Sequence, residues 1–204
     1  MQIEKIWAQI EDGKLIEQRT GSLRRAVVDL AKLYNVSTAQ PEVERTVGFV
    51  IEYIEHAPAL MTQIDEEAAR NGVQADVQPI LNATEDYFLA PDDIIPDRYG
   101  LVGLLDDAYL THSLMEAVSD RCKLQSGKSL LPAEAHAINT FIKRLIGVPF
   151  ITTLDEYVVA SMEQLGVEPE INQLLAALAK IDLLSLQDPL WRRVGATMPG
   201  WNSA

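Results

Sequence analysis

The sequence predicts an all-α protein, a bundle of about eight or nine helices containing a tight Pro/Asp-rich helical hairpin. Apolar residues recur at three- and four-residue spacing almost throughout the 204 residues, the period of a helix with one buried face. No clear strand alternation, hairpin signal or Gly-rich phosphate loop appears. No repeat of 20–50 residues marks a solenoid.

Ile3, Ile6, Trp7, Ile10 and Leu15 define a first amphipathic helix. Ser22 is a suitable N-cap for a second, with Leu23, Ala26, Val27, Leu30 and Leu33 on one face. Pro41 suits the first turn of a third, striped by Val43, Val47, Val50, Ile51 and Ile54. A fourth helix is expected over 58–71, ending at Asn71-Gly72, and a fifth over 75–89. Pro91 and Pro96 interrupt the pattern, because two prolines five apart cannot share a regular helix. A sixth helix is expected over 99–121. After Gly127 and Pro132, helices follow over 133–146, 150–165 and 169–186. Ile151, Thr152, Thr153, Val158 and Val159 would also suit a short strand. The end from Pro199 reads as loosely held, with Trp201 able to pin it. The expected organisation is one helical domain over 1–204: N-terminal helices to 72, a hairpin over 73–121 and C-terminal helices over 132–195.

Composition narrows the functional classes. The formal charge is −13, and 48% of residues are apolar, ordinary for a globular chain. An acid excess disfavours nucleic acid and anionic membrane surfaces, which both require a basic face. The excess is uneven. Residues 1–72 carry 8 basic and 12 acidic side chains, 73–120 carry 1 and 10, and 121–204 carry 8 of each. The net charges are thus −4, −9 and 0. A single cysteine, Cys122, allows no intrachain disulfide and fits a reducing compartment. No stretch approaches the ~20 apolar residues of a membrane span, and Met1–Trp7 does not read as a secretory signal. The expectation is a cytoplasmic protein.

Residues 87–107 concentrate the unusual chemistry. Pro91 and Pro96 fix the turn, and Asp93 suits an Asx-turn. Asp97 is placed to cap the sixth helix. Gly100 and Gly103 are expected to share a face and admit another helix backbone. Asp106 and Asp107 are about 100° apart around the helix, one on each side of the Gly103 face. The spacing of Pro91, Asp93, Ile95, Pro96, Asp97, Gly103, Asp106 and Asp107 resembles the signature of the YkvA family, a bacterial domain of unknown function. Ala90 stands where that family usually has Ser. The resemblance extends over residues 75–120 and implies a helical hairpin with no established chemistry.

Three readings of the acids follow. Asp93 and Asp97 cap and turn, while Asp106 and Asp107 bond to backbone of the facing loop. Alternatively, Asp93, Asp97, Asp106 and Asp107 converge on Mg²⁺ or Ca²⁺. Or the acids form an exposed docking face for a basic partner.

Other sites are weaker. Glu52 and His56 are one helical turn apart and suit an ion pair, and His112 is expected at the surface. No His-Glu-x-x-His pair supports a zinc hydrolase, and no Gly-x-Ser-x-Gly elbow supports a serine hydrolase. Ser126-Gly127-Lys128-Ser129 lacks the upstream glycine of a phosphate loop. Arg121 and Lys123 beside Cys122 would favour a thiolate, but no catalytic motif accompanies them. The leucines of 169–186 could pack on another subunit, and Lys143-Arg144 and Arg192-Arg193 could face the acidic turn.

The reading of first choice is a protein-binding adaptor, regulator or immunity-type module that engages a basic partner through its acidic segment. The alternatives are a divalent-metal-dependent phosphohydrolase using the Asp cluster, and a homo-oligomeric scaffold built on the C-terminal helices.

Overall fold

In a computed structural model of the chain, the residues described are 1–90, 94–165, 170–181 and 190–191. Among them there is no strand. Eight α-helices occur: α1 (Ile3–Thr20), α2 (Ser22–Leu33), α3 (Gln40–Arg70), α4 (Gln74–Phe88), α5 (Leu104–Ser126), α6 (Glu134–Ile146), α7 (Phe150–Leu165) and α8 (Glu170–Leu178). A 3₁₀ segment, Asp97–Val102, precedes α5.

Helix α5 is the axis of the bundle. Fifteen of its 23 residues are buried, on all its faces, so it carries no single apolar stripe. Helices α3, α4, α6, α7 and α8 all pack on it. The β-branched run that suited a strand lies within α7.

The expected break at Pro58 does not occur: 40–70 is one helix with Pro58 buried inside it. A proline here removes the N–H that would bond Ile54. The stripe Val50, Ile54, Ala57, Met61, Ile64 and Ala68 nevertheless continues across it, all at 1% exposure or less. At ~25 cal/mol per Å² of apolar surface removed from water, this burial exceeds the loss of one hydrogen bond. Thr62 Oγ1 donates to the Pro58 carbonyl at 2.9 Å, one turn further on.

The α1–α2 junction also departs from expectation. Ser22 is the first residue of α2, not its cap. Glu17, still on α1, takes that role: its carboxylate accepts the Leu23 and Arg24 N–H groups at 2.8 and 3.1 Å. Gly21, at φ +62°, makes the reversal.

Helix α8 ends at Leu178, and 182–186 of the expected helix lie outside the described residues, as does Trp201. Its Ile171, Leu174, Leu175 and Leu178 are buried within the chain, and α8 packs on α4 and α5. These four residues of the apolar surface that suggested a subunit contact are covered within the chain, and its Leu183, Leu184 and Leu186 lie outside the described residues. The Gly-Lys-Ser tripeptide is a structural element: Lys128 Nζ donates to the Ala179 and Ile181 carbonyls at 3.1 and 3.4 Å, closing the end of α8. No helix among the described residues is long and apolar enough to cross a membrane.

Candidate functional site: the Pro/Asp hairpin and a buried histidine pair

The hairpin is α4, the turn through 94–96, the 3₁₀ segment and α5. Helix α5 begins at Leu104, five residues later than the spacing predicts, because Gly100 adopts φ 68°, ψ −135°. That conformation is open almost only to glycine, and it separates the 3₁₀ segment from α5. Gly100 also sits tightly on α1: a Cβ there would lie 2.8 Å from Ile16 Cγ2 and 3.2 Å from the Gly13 carbonyl. Gly13 faces Leu101 and Leu104 in turn, its own Cβ position lying 3.0 Å from Leu104 Cδ1. A small-residue crossing thus docks α1 on the hairpin, and nothing local in α1 marks Gly13 for it.

Gly103 has a different task from Gly100, and the two do not admit a helix from one shared side. A Cβ on Gly103 would come within 2.6 Å of the Pro96 carbonyl oxygen and 2.8 Å of Asp97 Cα. The turn folds directly over the start of α5, and only glycine leaves room.

Asp106 closes this turn. It is fully buried, and its Oδ2 accepts the Ile95 N–H at 3.0 Å and faces the Tyr87 hydroxyl at 3.4 Å. One carboxylate therefore joins α5, the turn and α4. Asp107, next to it in the first turn of α5, is equally buried. Both side chains stand in the first turn of α5, at the positive end of the helix, which favours a carboxylate. Asp97 is the first 3₁₀ residue and not the cap of α5; its Oδ2 accepts Gln9 Nε2 of α1 at 3.3 Å. Pro96 precedes that segment at φ −56°. Pro91 and Asp93 lie outside the described residues. Among the described residues no three His, Cys, Asp or Glu side chains form a metal-holding group.

The acidic segment is more internal than its charge suggests. Among the described residues of the segment, Glu85, Asp106 and Asp107 are buried, Asp97 is half-buried, and Asp86 and Asp120 are exposed. Glu85 accepts the backbone N–H of Gln2 and so ties down the start of α1. Glu116 holds Asn139 Nδ2 and His136 Nδ1, both at 2.6 Å. Lys143-Arg144 makes its contacts elsewhere: Lys143 pairs with Asp155 of α7, and the Arg144 guanidinium lies over the ring of Tyr34, the residue after α2. Arg192-Arg193 lies outside the described residues.

A family model described as "Protein of unknown function (DUF1232)" matches residues 87–112. YkvA-like proteins belong to that family. No curated protein and no solved structure matches the chain. The DUF1232 match runs from Tyr87, through Ile95, Gly103 and Asp106, to His112. It coincides with the turn and its closure and leaves the other helices to be read from their own chemistry.

His112, expected at the surface, is fully buried, and so is His56 of α3. His56 Nδ1 and His112 Nε2 are 2.7 Å apart, and His112 Nδ1 is 2.6 Å from the Ala108 carbonyl. A carbonyl only accepts, so His112 carries its proton on Nδ1. In the neutral ring Nε2 is then an acceptor, and His56 Nδ1 is the donor. Tyr53 stacks on His112 at 4.2 Å, and the Trp191 ring meets both imidazoles edge-on. The Tyr53 hydroxyl donates to Asn139 Oδ1 at 2.9 Å, which continues the network to Glu116 and His136. Burial pushes the Tyr53 phenol well above its ordinary range, with Tyr109 and Glu116 adding to the shift. The 56-residue separation of the two histidines hides this pair from any local pattern.

Proposed function

We propose that the protein is a helical binding module, of adaptor, regulator or immunity type, that engages a basic partner on the outer face of α7. The observation that carries this reading is the composition and exposure of that helix. Only Ile151 and Leu154 of α7 are buried. Tyr157 and Val159 are 43% and 57% exposed. Val159 stands among Asp155, Glu156 and Glu163 on a helix with no Lys, Arg or His, whereas Tyr157 points to the other side and meets the Tyr87 ring of α4 edge-on at 5.1 Å. Among the described residues neither Glu156 nor Glu163 has an ion-pair partner, whereas Asp155 is held by Tyr109 and Lys143. Apolar side chains framed by one sign of charge suit steering and docking of an opposite charge.

The class of function is the one the charge balance suggests, but the location moves from the hairpin to α7. Glu85, Asp106 and Asp107 are buried, Asp106 closing the turn and Glu85 holding the start of α1, so they offer a partner little surface. The test is partner capture by the full chain from a cell extract, compared with Glu156→Lys/Glu163→Lys and with Asp86→Lys/Asp120→Lys. Capture lost only in the α7 pair supports the reading. Capture lost only in the second pair returns the site to the hairpin, and capture indifferent to both defeats the reading.

A further inference from the structure

We infer that the partner presents an amphipathic helix, and that this helix lies in the trough between α5 and α7. The inference rests on the reading of α7 as the docking face and specifies what docks there. The trough has a volume of about 440 Å³. Its floor is Ala117 of α5 with Val158 and Met162 of α7, all half-buried. Val159 and Glu163 form one rim and Arg121 the other. A second trough of about 390 Å³, lined by Thr152, Glu156 and Ala160, adjoins it across the Val159–Glu163 crest.

The geometry favours a helix over an extended strand. Both walls are helices, and no sheet edge is present among the described residues to offer backbone hydrogen bonds. Contacts pair Tyr109 with Asp155 and bring Ala117 and Arg121 beside Val158 and Met162. Numbering therefore rises in the same direction along the two walls. A third helix laid along them buries residues at i, i+3, i+4 and i+7 on an apolar floor, as helix-in-groove binding does.

Charge fixes the flanks. Glu156 and Glu163 are seven residues apart, on one side of α7 and about 10 Å apart along its axis. Arg121, across the trough, also lacks an ion-pair partner among the described residues. The complementary helix has Lys or Arg at i and i+7 on its α7 flank, an acid on its α5 flank, and small or medium apolar residues between.

The probe is an alanine-based peptide of about 16 residues, long enough to hold helix, carrying this pattern. A control has the same composition with the basic and acidic flanks exchanged. Isothermal titration is expected to show tighter binding of the patterned peptide by tenfold or more. Val159→Glu, at an exposed position that the core does not need, should abolish it. Arg121→Glu should weaken the patterned peptide, and a peptide with lysine on the α5 flank should restore binding. Equal affinity for the two peptides, or no effect of Val159→Glu, overturns the inference. If capture from extract depends on Glu156 and Glu163 while neither peptide binds, the helical mode fails and the docking face stands. If both fail together, the proposed function fails with it.

Discussion

The Asp106 carboxylate accepts the backbone N–H of Ile95 across the Pro96 turn, at 3.0 Å, with both residues buried. A buried N–H without a partner costs about 1–3 kcal/mol. Asp106→Ala removes the acceptor and leaves a void against Tyr87. The expected loss is about 2–3 kcal/mol in urea unfolding. Asp106→Asn keeps an oxygen in place and should cost about half as much. An alanine variant within about 0.5 kcal/mol of wild type would remove the carboxylate from its role as the closure of the turn.

Gly103 and Gly48 offer a contrast within one protein. Gly48 lies inside α3, where alanine is favoured over glycine by about 1 kcal/mol, whereas Gly103 is the residue before α5. At Gly48 a Cβ would meet nothing within 4 Å, so Gly48→Ala should stabilise by about 0.5–1 kcal/mol. At Gly103 the Cβ would press on backbone atoms of Pro96 and Asp97, which cannot rotate away. Gly103→Ala should destabilise by about 1–3 kcal/mol. Thermal melts of the two variants should move in opposite directions, and equal shifts would mean that the turn yields.

Sequence patterning makes most of the helices legible because they bury a stripe with a helical period, α5, buried on all its faces, being the exception. It fails at Pro58 and Ser22 for one reason. Both residues carry a strong local preference, and a longer-range term outweighs it: the uninterrupted stripe of α3 in one case, the Glu17 carboxylate in the other. The turn is legible to the level of Asp106 bonding a facing backbone group. The division of labour between Gly100 and Gly103 is not, since it depends on which chain segment lies opposite each. The His56–His112 contact and the Gly13–Gly100 crossing are equally hidden, because their partners meet only after the bundle assembles.

Two buried phenols set the alkaline limit. Burial raises the Tyr53 pKa well above its usual value, and burial together with the Asp155 hydrogen bond raises Tyr109, opposed by a hydrogen bond with Ser113. Unfolded tyrosine titrates near about pH 10. Above that pH the unfolded chain holds fewer protons than the folded one, so unfolding free energy falls as pH rises. Stability should be unaffected by these groups below about pH 10 and lost above it. The 295 nm tyrosinate signal of Tyr53 and Tyr109 should then rise together with loss of helical circular dichroism. In Tyr53→Phe/Tyr109→Phe the alkaline fall should shrink, and an unchanged fall would assign it to other groups. On the acid side, Arg24 lowers the Glu44 pKa through a hydrogen bond. That exposed pair supports the fold above the carboxylate range and ceases to do so as pH falls through it.

Cys122 should be inert in the native protein. Arg121 and Lys123 beside it suggest an activated thiol, but the side chain is 1% exposed and its S–H faces the Leu175 carbonyl of α8 at 3.7 Å. Burial pushes the thiol pKa up, and the nearby Lys128 only partly offsets this. Inaccessibility and the raised pKa both act against the thiolate that reacts. Labelling by a disulfide reagent at neutral pH therefore requires α8 to lift away. A rate at least ~100-fold below that in denaturant is expected, equivalent to an opening free energy of about 2.7 kcal/mol. Lys128→Ala removes the ammonium that closes the carbonyl end of α8. It should speed native labelling severalfold, although losing the lysine charge alone would raise the thiol pKa further and slow it. The two effects have opposite signs, so the direction of the change is decisive. Faster labelling assigns Lys128 the role of holding α8 over the thiol, and slower labelling assigns it only an electrostatic one.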